Sequence, residues 1–321
     1  MAYSLLSQGK FVLANKKIKG EINMKKVITT ILICFLFVGA ALAQEEDSTG
    51  TQGRHHHWSH WENDFNFLHE EFHGRPTLSF LYGFSNISLK NAQRTYANPD
   101  LMELKIGYTS KRSTWDDDNI FNYSNKYLQI SYFSTELANT PNNPDVQSKM
   151  WRLGFGKASG YGYDFGNFNL VPYHASGFSW SRVEMLPDKV QTLVAFPPSG
   201  LEDYDKTIRF GTSAEGGLKF TFADHYTIEA GYEKSIIFRK HLFGKWVMSS
   251  VIEDATQSLL DGFIDEILDR APKAAPVVNF LLKNALSYGI YELRQSKMNW
   301  PFNTEPPLSF DQFKFGVTIV F

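Results

Sequence analysis

Phe313-Lys314-Phe315-Gly316-Val317-Thr318-Ile319-Val320-Phe321 ends the chain and decides how the rest is read. Phe313, Phe315, Val317, Ile319 and Phe321 fall on one face of a strand, and Lys314, Gly316 and Thr318 on the other, because successive side chains of a β-strand point to opposite sides. The same period recurs upstream. Leu78, Phe80, Tyr82 and Phe84 share a face, as do Met102, Leu104, Ile106 and Tyr108 with Glu103, Lys105 and Gly107 between them. Leu128, Ile130 and Tyr132 repeat it, and Trp151, Leu153 and Phe155 do so opposite Arg152 and Gly154. Leu170 with Phe178 and Trp180 marks a fifth strand. Ile208, Phe210, Leu218, Phe220 and Phe222 precede Tyr226, Ile228, Ala230 and Tyr232, with only Ala223, Asp224 and His225 between, which predicts a tight hairpin. With the last strand this gives about eight, or ten if two are merged between Tyr161 and Ser181.

The other end of the chain reads as a targeting segment. Met24-Lys25-Lys26 opens a basic stretch, Val27 to Val38 is apolar apart from two Thr residues, and Ala41-Leu42-Ala43 is a small-residue cleavage site. This is the layout of a secretory signal peptide over residues 24–43, with Gln44 as the first mature residue. Residues 1–23 have no such logic and read as a mis-assigned start. Acylation at Cys34 is disfavoured by the bulky Ile33 before it. The full chain has 32 basic and 34 acidic residues; without 1–43, which hold six Lys and one Glu, 26 basic face 33 acidic and the net charge is −7. That argues against nucleic acid as a partner. Cys34 is the only cysteine, so the mature chain forms no disulfide and no thiolate metal site. Aromatic content is 15% while mean hydropathy is −0.29, too polar for a helical membrane protein and compatible with strands of which every second residue faces lipid.

A terminal Phe with apolar residues at alternate positions resembles the closing strand of Gram-negative outer-membrane β-barrels. The resemblance implies an all-β membrane protein: an antiparallel transmembrane barrel over 76–321, in the outer membrane after cleavage near Ala43. It also implies outer-membrane lipid as its surround, with the barrel assembly machinery and periplasmic chaperones as partners during biogenesis.

The faces opposite the apolar ones carry Glu103, Lys105, Arg152, Arg209, Glu215, Lys219, Glu229, Glu233 and Lys314, interleaved with glycines. An eight-stranded barrel is only wide enough inside for side chains to fill it, and an unpaired buried charge is expensive. A salt-bridged core is therefore favoured over a polar channel lining, which needs more strands.

The shortest turn, Ala223 to His225, is expected on the periplasmic side, since outer loops are the long ones. The 111–125 connection, with Asp116-Asp117-Asp118, is long for that side. Before the last strand, Ser250 with Glu253 gives a capping-box start, and Val251, Ala255, Leu259, Phe263 and Ile267 recur at helical spacing, with Leu260, Ile264 and Leu268 beside them. Pro272 ends this helix, and Pro276 opens a second containing Val277, Phe280, Leu281, Ala285 and Leu286. The expectation is a helical hairpin over about 250–296 whose stripes pack on each other above the barrel, with a lid, a plug or an interfacial hairpin as alternatives. Asp254, Asp261, Asp265, Glu266 and Asp269 disfavour contact with anionic lipid.

Two motifs suggest chemistry. His69-Glu70-Glu71-Phe72-His73 matches H-E-x-x-H on a short helix within a periplasmic His- and Trp-rich segment, 44–75. Gly74-Arg75-Pro76 ends it at once and no third ligand is evident, so a metalloprotease is disfavoured. His55, His56, His57, His60, His69 and His73 form a clustered tract of a kind that binds metal without catalysis, though a polar segment packing its aromatic face is the commoner meaning. Secondly, His174 and Ser176 share a lipid-side face, with Glu184 further on. This is similar to the His-x-Ser pattern of outer-membrane lipid A deacylases, and implies Ser176 as nucleophile, His174 as base and Glu184 as orienter. The similarity covers only these residues, and the Glu spacing is shorter than in that family. No phosphate-cradling glycine loop with its Lys is present, no cofactor is implied, and nothing in the residues names a specific ligand. The expected role is structural or ligand- and partner-binding, with a small pore gated by the hairpin, or an outer-leaflet lipid hydrolase, as alternatives.

Overall fold

The computed structural model describes residues 74–92, 94–113, 119–137, 146–186 and 200–321. The strands are β1 (Arg75–Leu89), β2 (Asp100–Ser113), β3 (Ile120–Ser134), β4 (Ser148–Asp164), β5 (Phe168–Met185), β6 (Ile208–Phe222), β7 (Tyr226–Ile237) and β8 (Leu308–Val320). Helices α1 (Phe243–Arg270) and α2 (Ala275–Ser296), joined through a 3-10 turn at Pro272–Ala274, lie between β7 and β8. Each strand pairs antiparallel with its chain neighbours, and β8 pairs with β1 to close the barrel.

The expected count of eight holds. The stretch from Tyr161 to Ser181 hides no extra pair: β4 runs to Asp164 and β5 starts at Phe168. Gly160 to Tyr163 lies inside β4. The 111–125 connection is much shorter than the sequence suggests. β2 and β3 stay in register down to Ser113↔Phe121, so only 114–119 joins them. All connections at this end are then short, as the orientation argument required. At the 223–225 turn, Ala223 and Asp224 have φ of 48° and 57°, the left-handed pair that matches the twist of a two-stranded ribbon.

The interior is filled along its height. At the long-loop end Leu101, Phe133, Met150, Val183, Leu308 and Phe310 form an apolar cluster. Leu201 and Tyr204, from the β5–β6 connection, insert into it with no exposed surface. The Tyr204 hydroxyl accepts the Leu308 N–H at 3.1 Å, and burial pushes this phenol above its usual pKa, keeping it a neutral acceptor. Towards the short-turn end Phe121, Tyr123, Tyr127, Val171 and Tyr173 fill the lumen. Charged groups occupy the layer between.

Outside, large apolar side chains are exposed on every strand: Phe80 and Phe84, Met102 and Ile106, Ile130, Trp151 and Leu153, Phe178 and Trp180, Leu218 and Phe220, Ile228 and Tyr232, Phe313 and Val317.

The helical hairpin departs from expectation in three ways. Helix α1 starts at Phe243, about two turns before the capping-box signal at Ser250. The Glu253 carboxylate reaches across the hairpin to Arg294 at 2.8 Å, while Trp246 packs edge-on against Phe210 with ring centroids 5.2 Å apart, which extends the helix backwards. The expected stripe also splits: Leu260 and Ile264 are buried, whereas Leu259 at its centre is 80% exposed. Finally, the hairpin does not stand above the barrel. Helix α2 lies against its wall, touching β4, β5, β6 and β7.

Candidate functional site

Two arrangements carry the polar chemistry of this molecule. The first is the lumen. Lys314 of β8, fully buried, places Nζ 3.0 Å from Glu103, 2.7 Å from Glu215 and 2.6 Å from Glu233. Lys105 lies 3.3 Å from Glu103 and 3.4 Å from Glu215. Arg152 donates to Glu233 at 2.9 Å and to Ser235 at 3.0 Å, and its guanidinium sits over the Phe133 ring. Lys219 pairs with Glu229, which also accepts from Thr318 at 2.6 Å. Ser131 donates to Glu103 at 2.8 Å, and Tyr173 donates to Glu215. Four cations thus face four carboxylates. Such burial is tolerable only when every charge is paired and its remaining lone pairs are satisfied. A residual space of about 10 Å³, lined in part by Lys105, Asn125, Tyr127 and Glu229, has room for about one water. Arg209, grouped with these charges by its phase, sits at the rim, donating to the carbonyls of Asp203 at 2.6 Å and Arg239 at 2.8 Å.

The second is a seam on the outside of the wall. Outward positions on most of the barrel are apolar. Across four neighbouring strands they become small or polar: Lys157 and Ser159, His174 and Ser176, Ala214 and Gly216, then Lys234. Helix α2 covers this stripe. The Asn284 amide nitrogen donates to the Phe280 carbonyl at 2.8 Å, which turns its oxygen to His174 Nδ1 at 3.1 Å and makes Nδ1 the protonated ring nitrogen. His174 Nε2 then accepts from the Ser287 hydroxyl at 3.4 Å, and Ser287 Oγ accepts from Gln257 of α1 at 3.1 Å. Lys234 lies 2.9 Å from Glu292 and 3.4 Å from Asp311, under the rings of Tyr288 and Tyr291. Serine, histidine and asparagine stand here in the order of a hydrolytic triad. Ser287, however, is only 5% exposed, and its oxygen already holds the Gln257 amide. The chain of bonds anchors the helix to the wall.

No protein-family model and no curated protein matches the sequence. Solved structures similar to the chain include Neisserial surface protein A, NspA, at 10% identity over 77% of this chain and 97% of that one, with a TM-score of 0.38. Ail, the attachment invasion locus protein of Yersinia pestis, is 9% identical over 77% and 99%, with a TM-score of 0.30. The outer membrane protein OprG from Pseudomonas aeruginosa is 10% identical over 77% and 96%, with a TM-score of 0.27.

Of the three residues read as a hydrolase triad, His174 and Ser176 share the outward face. Ser176 is exposed while His174 is buried under α2. Glu184 lies ten residues along β5 from His174 and pairs with Lys149 at 3.6 Å. The structure does not bring the three together. His55, His56, His57, His60, His69 and His73 lie outside the described residues. Among the described residues no group of three or more His, Cys, Asp or Glu could hold a metal ion. Asn284, Ser287, Gln257 and Glu292 were not singled out from sequence. Their signal was the loss of apolar residues at outward positions of four consecutive strands.

Gly216 is the tightest point of the seam, where an added Cβ would run into the Asn284 amide. Gly216→Val is expected to lift α2 from the wall and cost about 1–3 kcal/mol, as overpacking does. Limited proteolysis at the 271–274 turn should accelerate in the variant; an unchanged cleavage rate would show that the contact does not hold the helix.

Proposed function

We propose that the protein is an outer-membrane β-barrel of a Gram-negative bacterium with a structural or ligand- and partner-binding role and a filled lumen. The observation that carries this reading is the belt of exposed large apolar side chains on all eight strands of a closed barrel. Soluble monomers rarely expose contiguous apolar patches beyond a few hundred Å², whereas a closed barrel satisfies its backbone internally and can face hydrocarbon. The filled lumen leaves the connections at the long-loop end as the parts offered to a partner, outside the cell by the loop-length rule. Outer-membrane lipid is then the surround, and β8 the segment presented to the assembly machinery and periplasmic chaperones.

Reconstituted in planar bilayers, the protein is expected to be silent, both intact and with residues 243–296 removed. Stepwise conductance in the intact protein would overturn the filled-lumen reading, and conductance only after removal would make the hairpin a plug. Cell fractionation checks the location: recovery in the soluble or inner-membrane fraction would overturn it.

A further inference from the structure

We infer that α1 and α2 sit in the bilayer beside the barrel, with their outward side chains against lipid acyl chains. This rests on the membrane reading above. Both ends of α2 are tied to opposite ends of the wall. Near its start the Lys273 carbonyl accepts from Tyr163, close to the short-turn end of β4. At its finish Ser296 accepts from Lys90 at 2.7 Å, one residue beyond the long-loop end of β1. Its 22 residues rise about 33 Å at ~1.5 Å each, close to the roughly 30 Å hydrocarbon thickness of a bilayer.

The polarity of the hairpin is inverted for an element in water. Its polar groups turn inward: Gln257 to Ser287, Ser287 to His174, and Glu292 to Lys234. Between the helices Asp261 pairs with Lys283 at 2.5 Å and Glu253 with Arg294 at 2.8 Å. Met248, Ile252, Leu259, Val277 and Leu281 point away from the wall and are exposed. The exposed charges gather towards the hairpin's ends, at Lys245 and at Asp265, Glu266, Asp269 and Arg270. Neither helix is long and apolar enough to cross a membrane by itself; each needs the polar stripe of the wall to receive its polar face. The outward surface then continues the apolar belt of the bare strands, so the same occupant, hydrocarbon, covers both.

The test uses the full chain in a Cys34→Ser background. Leu259→Cys, Leu281→Cys, Ile106→Cys and Lys206→Cys are labelled with an environment-sensitive fluorophore and reconstituted in phosphatidylcholine vesicles brominated at mid-chain. Quenching at positions 259 and 281 is expected to equal that at 106, on the bare belt, and to exceed that at 206 several-fold. Quenching at 106 with none at 259 and 281 would overturn the inference and leave the membrane reading standing, whether water, a second copy or another protein covers the hairpin. No quenching at 106 would overturn the membrane reading itself.

Discussion

Lys314→Met should be the most damaging single substitution in the barrel, costing about 3–5 kcal/mol, the usual consequence of removing one partner from a buried ionic network. Among the described residues Lys314 is the only cation within 4 Å of Glu103, Glu215 and Glu233 together. Without it the layer keeps four carboxylates against three cations, away from bulk solvent. The defect should be reversible by design. Adding Glu215→Gln restores neutrality and leaves Lys105 with Glu103, Arg152 with Glu233 and Lys219 with Glu229. Urea unfolding in vesicles would give a double-mutant cycle in which the pair is more stable than the sum of the singles, by about 1–3 kcal/mol. Strict additivity would mean that the three carboxylates are held by something other than charge.

Excision of the hairpin, joining 242 to 297, carries the second large effect. Strands β7 and β8 pair through their own register from Ile237↔Leu308 to Tyr226↔Ile319, so the barrel should still close and its lumen stay shut. The wall, however, loses the cover over His174, Gly216 and Lys234. A lysine bared on a lipid-facing belt costs up to about 2–4 kcal/mol; Lys234 keeps Asp311 on β8, so the excised protein is expected to lose about 1–3 kcal/mol in urea unfolding. Replacing Lys234 and Asp311 together by Leu in the excised protein should recover a large part of the loss, while Lys234→Leu alone in the intact protein should destabilise by stranding Glu292 and Asp311. If excision left the unfolding midpoint unchanged, the seam would be incidental.

The barrel was legible because its signal has a period of two and repeats in every strand. Glu103, Lys105, Glu215, Lys219, Glu229, Glu233 and Lys314 stood out by falling on the off-phase. Their partners could not be read, since pairing joins residues on strands far apart in the chain, as Lys314 of β8 meets Glu103 of β2. The hairpin was legible as two helices but not in place. Its apolar stripe was expected to face inward as a whole, whereas Leu260 and Ile264 do so while Leu259 and Leu281 face out. The clue lay in the wall: Ser159, His174, Gly216 and Lys234 break the outward apolar pattern one strand after another. A long helix has no such partner-independent marker, so Ser250 and Glu253 misled the reading of its start. The reading of His174, Ser176 and Glu184 as a triad rested on a His-x-Ser resemblance, and ten residues of strand keep Glu184 from His174.

Alternation alone does not fix how β8 seats against its neighbours. A slip of one residue would turn every apolar side chain inward, but a slip of two preserves the pattern on both faces. It would also carry the Lys314 ammonium about 7 Å along the barrel, at ~3.4 Å per residue, and break its shared contact with the three carboxylates. Strand β8 therefore brings the cation that checks its own alignment, because only the native register lets one ammonium meet Glu103, Glu215 and Glu233 together.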